Sequence, residues 1–233
     1  MMNLAEYRST ATRLADYLPW AALVGSGVVL NKDGSFQRTA KFRGPDLDSA
    51  VAAELVAVAG RINNAVRRLG SGWSIFVEAQ RSEAATYPDS RFPDAASALV
   101  DAERKAGFEE ADAHFVSGYF LTFLWLPPAE EAARTEAWLY EGREKTGVDP
   151  WELLRGFIDR TDRVLALLDG FMPECRWMDD GATLTYLHST ISTNRHRVRV
   201  PEVPMHLDAL LADQPLTGGL EPRLGDAHLR VLT

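Results

Sequence analysis

Gly27-Val-Val-Leu-Asn-Lys-Asp-Gly-Ser-Phe-Gln-Arg-Thr-Ala-Lys-Phe42 is the stretch on which the fold turns. Two runs rich in β-forming residues flank Lys32-Asp33-Gly34, and Asp-Gly tolerates the positive φ that tight hairpin turns require. The stretch therefore reads as a β-hairpin, which makes antiparallel pairing the starting point of the sheet.

Upstream of the hairpin, Leu4, Tyr7, Ala11, Leu14 and Leu18 share one helical face, and Pro19 ends the pattern. Downstream, the spacing predicts a helix over 48–69, with Val51, Leu55, Val58, Ile62, Val66 and Leu69 toward the core. Asp46 or Asp48 can cap its start, and Gly70 stands where a helix-ending glycine belongs. Trp73–Val77 is continuously apolar at Ile75, Phe76 and Val77, which predicts an inner strand covered on both faces. A second helix over 94–113 and a long strand over 115–126 follow, the strand stopped by Pro127-Pro128. Residues 129–147 are rich in Glu and Ala with a thin apolar face, and read as an exposed helical insertion or flexible arm. Asp149-Pro150 then opens an amphipathic helix carrying Trp151, Leu154, Ile158, Leu165 and Leu168.

Beyond Trp177, Asp179-Asp180 precede a short helical pattern of Leu184, Leu187 and Ile191, and His196–Val200 alternates like a short strand. The tail from 201 to 233 is looser, with one short helix near Leu207–Leu211 and an apolar strand pattern over Leu229–Leu232. A strand pattern running to Thr233 leads us to expect a longer parent protein. The order of elements predicts an α+β fold: a mixed or antiparallel sheet with an N-terminal hairpin and several amphipathic helices packed on it.

The 233 residues carry a net charge of −8, so the surface as a whole repels phosphate backbones and argues against a dedicated nucleic-acid binder. Cys175 is the only cysteine, which rules out an internal disulfide and suits a reducing compartment. Tyr119–Leu126, the longest strongly apolar run, is far shorter than the roughly 20 residues of a bilayer span. The start lacks the basic-then-apolar order of a signal peptide. These features lead us to expect a cytoplasmic protein, with membrane contact that is at most peripheral.

Chemistry is sparse. A phosphate-binding loop needs glycines and a lysine, yet no Gly-Lys dipeptide occurs. Gly25-Ser-Gly27 begins like a dinucleotide fingerprint, but Leu30 replaces its third glycine and a strand follows where a helix should. The histidines at 114, 188, 196, 206 and 228 show no i,i+4 pair, and Glu109-Glu110, Glu130-Glu131 and Asp179-Asp180 are adjacent pairs that point apart on a helix. Gly-x-Ser-x-Gly is absent. No catalytic, cofactor-binding or metal-ligating residue is expected. Arg195, Arg197 and Arg199 form the one concentrated basic run, either a solvated strand edge or a contact for an anionic partner. A nucleic-acid-binding module built on Arg195–Arg199 is the alternative function.

Several stretches together resemble the TrbE branch of the CagE/TrbE/VirB family of conjugation and type IV secretion ATPases. They are Asn3-Leu-Ala-Glu-Tyr-Arg8, Leu14-Ala-Asp-Tyr-Leu-Pro-Trp20, the hairpin from Gly27 to Ala40, and Gly44-Pro-Asp-Leu-Asp48. Leu69-Gly-Ser-Gly-Trp73, Tyr87-Pro-Asp-Ser90, Leu184-Thr-Tyr-Leu-His188 and Leu224-Gly-Asp226 to Leu229-Arg-Val231 extend the likeness over essentially the whole chain. The resemblance implies that residues 1–233 are an N-terminal, non-catalytic domain preceding an ATPase module. It assigns ATP and Mg²⁺ to the parent and no cofactor to this domain. It also implies docking to inner-membrane components of the secretion machine and to other copies of the ATPase, with nucleic acid an unlikely partner. For that docking, the segment holding Leu4, Tyr7, Leu14, Leu18 and Trp20 is the candidate, facing a small membrane partner or the membrane surface. The rival reading is that this helix covers the domain's own sheet.

Overall fold

The computed structural model describes residues 13–84, 86–110, 114–128 and 149–230. A single helical turn, α1 (Leu14–Tyr17), leads into β1 (Trp20–Gly25), which pairs antiparallel with β2 (Val28–Asn31). The hairpin of β2 and β3 (Phe36–Arg43) forms as its sequence predicts, with Val28 opposite Arg38 and Leu30 opposite Phe36. Gly34 takes φ +81° in the turn, and the Asp33 carboxylate accepts from the Ser35 N–H and hydroxyl. After α2 (Ala52–Val66) come β4 (Trp73–Glu83), α3 (Ala95–Glu110) and β5 (Phe115–Trp125). Then follow α4 (Pro150–Asp169), β6 (Glu174–Trp177), α5 (Asp180–Ile191) and α6 (Leu207–Leu211). Two-residue strands β7 (Leu216–Thr217), β8 (Arg223–Leu224) and β9 (Ala227–His228) make a small second sheet.

The main sheet is antiparallel at every recorded pairing, in the order β1-β2-β3-β5-β4, with β6 also on β3. β2 and β6 occupy the same edge of β3, one beside its first half and the other beside Ala40–Arg43. Where they meet, Gly27 approaches so closely that an added Cβ would stand 2.1 Å from the Met178 carbonyl oxygen. Gly27 also has φ +65°, so its lack of a side chain is required twice over. The glycine that imitates a dinucleotide fingerprint is a packing glycine, and its N–H donates to Asp180 Oδ1.

Each face of the sheet has its own cover. α4 lies across one face and buries Leu154, Phe157, Val164, Leu165 and Leu168 against Leu30, Phe36, Leu121 and Phe123. Phe36, Trp73, Trp125 and Phe157 stack there with ring centroids between 5.5 and 6.5 Å apart, a favourable offset arrangement. α4 begins as its sequence requires, with the Asp149 carboxylate accepting from Trp151 N–H and Pro150 in the first turn. On the opposite face, α1, α5 and α6 bury Leu14, Leu18, Leu184, Leu187, Leu207 and Leu211 over Val29 and Trp20.

Several expectations need correction. Among the described residues β4 is the end strand of the sheet, paired with β5 on one side, and its Phe76 and Val77 are 56% and 68% exposed. An apolar run alone does not distinguish an inner strand from an edge that something else must cover. α2 is three to four residues shorter at each end than predicted. Its N-terminal turn is held by Val51 N–H on Glu54, while Asp46 accepts from Asp48 N–H in a separate turn. Half of its predicted core face is outside: Val51, Leu55 and Ile62 are exposed, Val58 and Val66 are half-buried, and Leu69, together with Ala65, enters the core beside α4. His196–Val200 and Leu229-Arg230 are irregular rather than strands. The predicted insertion at 129–147 lies outside the described residues, as do the ends of the first and second predicted helices.

Candidate functional site

Of the docking residues expected near the N-terminus, the three that are described do not form a surface. Leu4 and Tyr7 lie outside the described residues. Leu14, Leu18 and Trp20 are buried among Leu184, Leu187, Leu207 and Leu211. Lys32 secures this packing, donating to the Ala15 carbonyl at 3.1 Å and pairing with Asp208 of α6 at 2.8 Å. The docking assignment of these three side chains is thereby corrected, because helical spacing marks a face to be buried and is silent about what buries it.

The apolar surface left open is elsewhere. Val51, Leu55, Val56 and Ile62 are exposed at α2, Leu99 and Val100 on α3, and Phe76 and Val77 on β4. α3 buries none of its residues. It is tied back locally, by Tyr87 donating to Asp101 at 2.7 Å and by Phe108 stacking between Tyr87 and His114. The β4–β5 ribbon pairs as far as Glu83 opposite Phe115, and Phe115, Val116 and Tyr119 are exposed as well. Polar contacts hold the ribbon to the body. Glu78 accepts from the Tyr186 hydroxyl at 2.7 Å, and Gln80 donates to Ser189 at 3.0 Å. Burial, aided by the bond to Glu78, pushes the Tyr186 hydroxyl pKa well up, so the phenol is a fixed donor.

The basic run resolves into two portions. At Ser192–Asn194 the chain turns back along α5, and Val198 N–H donates to Thr185 Oγ1 at 3.1 Å. A cavity of about 310 Å³ opens there, lined by His188, Ser189, Asn194, Arg195, His196 and Arg197 among others. Arg199 is outside it. His188, 2% exposed, sits at the base with its ring centroid 4.5 Å from that of His196. Its Nε2 is 3.1 Å from Asp213 Oδ2, a close contact whose alignment falls short of a straight hydrogen bond. The same carboxylate oxygen accepts from Asn194 Nδ2 at 2.8 Å and from Ser192 Oγ at 3.1 Å. No spacing in the sequence announces the two histidines as neighbours. The reversal at Ser192–Asn194 brings them together.

Two other polar groups are structural. Arg38, nine-tenths buried, pairs with Asp162 of α4 at 2.6 Å and lies 4.0 Å over the Trp177 ring. Trp177 donates to the same Asp162 oxygen, so one carboxylate clips β3, α4 and β6 together. Cys175 is buried, and desolvation followed by the nearby Asp169 charge pushes its thiol up to about 11. That leaves it protonated and unreactive at neutral pH. Among the described residues, no three His, Cys, Asp or Glu side chains converge as metal ligands, and no helix is long and apolar enough to cross a membrane.

Comparisons with known proteins agree on one family. Residues 27–133 match the model for the N-terminal domain of the type IV secretion system ATPase VirB4/TrbE. The chain is 33% identical over its whole length to a conjugal transfer protein TrbE of Rhizobium radiobacter, spanning 30% of that protein. It is 41% identical over 140 residues to a probable conjugal transfer protein TrbE, first segment, of Sinorhizobium fredii, spanning 93% of that protein and 59% of itself.

Proposed function

The chain belongs to the TrbE family of conjugal transfer proteins, and from that premise we propose that it is a docking and assembly domain of a type IV secretion ATPase. Residues 1–233 act as one N-terminal, non-catalytic domain. ATP hydrolysis with Mg²⁺ belongs to the longer parent, which powers DNA or protein transfer and pilus assembly. The domain works in the cytoplasm against the inner membrane, with machine components and neighbouring ATPase copies as its contacts.

One observation carries this reading: the open apolar surface of α2, α3 and β4, on elements that contribute little to the domain's own core. Apolar side chains left open on such lightly packed elements are available for burial against a partner. β4 adds an edge free of a second strand, to which an extended segment can pair. The occupant we assign is a protein component of the secretion machine. The nucleic-acid alternative has less support, since the net charge is −8 and Arg195 and Arg197 of the basic run line a small cavity with Arg199 outside it.

The test is a Leu55→Asp/Ile62→Asp double variant of the parent in cells carrying a complete transfer system. Both positions are exposed, so the variant should accumulate normally. Losing two interface anchors worth about 1.4 kcal/mol or more should lower transfer frequency by about tenfold or more. Normal transfer by a normally accumulating variant sinks the proposal. A photo-crosslinker at position 55 identifies the occupant, and capture of the parent's own remainder would reassign the surface to an intramolecular interface.

A further inference from the structure

The cavity between α5 and residues 194–197 holds donors that the fold does not use. Arg195 gives one Nη1–H to the Ser189 carbonyl at 2.9 Å, leaving the rest of its guanidinium free. Arg197 makes no hydrogen bond or ion pair among the described residues, and His196 makes only its ring contact with His188. The carboxylate beside them, Asp213, already takes Asn194, Ser192 and His188 on one oxygen. Two guanidiniums therefore share one rim, neither of them paired with a carboxylate among the described residues, in a chain whose net charge is −8. An ordinary solvated arginine borders no cavity. These two converge on one with a buried histidine at its base.

The donor set selects the ligand. A planar carboxylate is satisfied by the fork of a single arginine, whereas a phosphate dianion offers several oxygens to donors arriving from different directions. The C-terminal end of α5 opposes an anion through its carbonyls, and Arg195 on Ser189 offsets some of that. A volume of about 310 Å³ is at the small end of ligand sites, too small to engage a duplex. We infer that this pocket binds the terminal phosphate of a small phosphate monoester, with Arg197, Arg195 and His196 as its donors. Such a group comes from a soluble phosphorylated metabolite or from a phosphatidic-acid headgroup.

Calorimetric titration of the full chain with glycerol 3-phosphate tests the soluble source. Co-sedimentation with phosphatidylcholine vesicles, with and without phosphatidic acid, tests the lipid source. Arg197→Gln, which removes no internal contact and should leave the thermal midpoint unchanged, is expected to weaken binding by about tenfold, the usual loss when a charge-assisted contact goes. Arg199→Gln removes the same charge outside the cavity and should change affinity less than about twofold, as screened surface charges do. Saturable binding in either arm with that difference between variants supports the pocket, and the arm in which it appears names the source. Equal losses for Arg197→Gln and Arg199→Gln, or no binding in either arm, overturn it. So does single-stranded DNA without a terminal phosphate binding more tightly than glycerol 3-phosphate in the same Arg197-dependent way.

Discussion

α4 and α2 are both helices with an apolar stripe, yet they have opposite fates. α4 lays Phe157, Leu165 and Leu168 into the stacked aromatics of the sheet and is buried along that face. α2 buries only Ala65, followed by Leu69 just beyond its end, on the α4 side of the core, and Leu55 and Ile62 remain 45% and 38% exposed. The same contrast separates β3, at the centre of the sheet, from β4, at its edge. Stability resides in the central half, and the outer half carries surface that burial has not yet used. Apolar area buried inside the domain stabilises the fold, whereas area left open is available to stabilise a complex.

The sharpest way to break this comparison is to shorten one side chain in each half. Phe157→Ala should cost about 3–5 kcal/mol, because the stacked rings around it cannot collapse into the space. Ile62→Ala should cost less than about 1 kcal/mol, as partly exposed positions do. Urea denaturation measures both. Equal costs would mean that α2 packs as tightly as α4.

A smaller loss should follow Gly27→Ala, at the junction of β2 and β6. The added methyl meets the Met178 carbonyl and the backbone must hold a left-handed φ, so about 1–3 kcal/mol is expected. Because the junction belongs to the central half, thermal denaturation should show one cooperative transition at lower temperature. A normal midpoint would place β6 among the loosely held elements.

The smallest effect concerns pH. Partial desolvation raises the Asp213 pKa, but hydrogen bonds from Asn194 and Ser192, with His188 close by, outweigh it, holding this carboxyl below the ordinary carboxylate range. A depressed folded pKa contributes stability above the unfolded value of about 3.9 and loses it as pH falls through the folded one. Wild-type denaturation midpoints should therefore drop more steeply below about pH 4 than those of Asp213→Asn. Parallel profiles would show that the α5 turn gains nothing from this charge.

Much of the fold was legible locally. Asp33-Gly34 turns the hairpin, Asp149-Pro150 starts α4, Asp179 caps α5 by accepting from Ala182 N–H, and the Pro127-Pro128 pair follows the end of β5. Each of these signals acts within a few residues, through backbone angles or a single hydrogen bond, so the amino-acid order is sufficient to specify it. β1 and β6 are not legible, because Ala21-Ala22-Leu23-Val24 and Cys175-Arg176 become strands only when β2 and β3 offer them an edge. Edge position for β4, exposure for α2, and the meeting of His188 with His196 likewise depend on which elements arrive beside them. Periodicity records that a face is apolar, or that a run is basic, but contact between residues far apart in sequence is set by the packing of the whole sheet. The sequence by itself therefore determined the hairpin, the starts of α4 and α5, the family and the absence of a phosphate-binding loop. Only the tertiary structure decided that Leu14, Leu18 and Trp20 are core and that the open surface belongs to α2, α3 and β4, because burial is a property of neighbours rather than of residues.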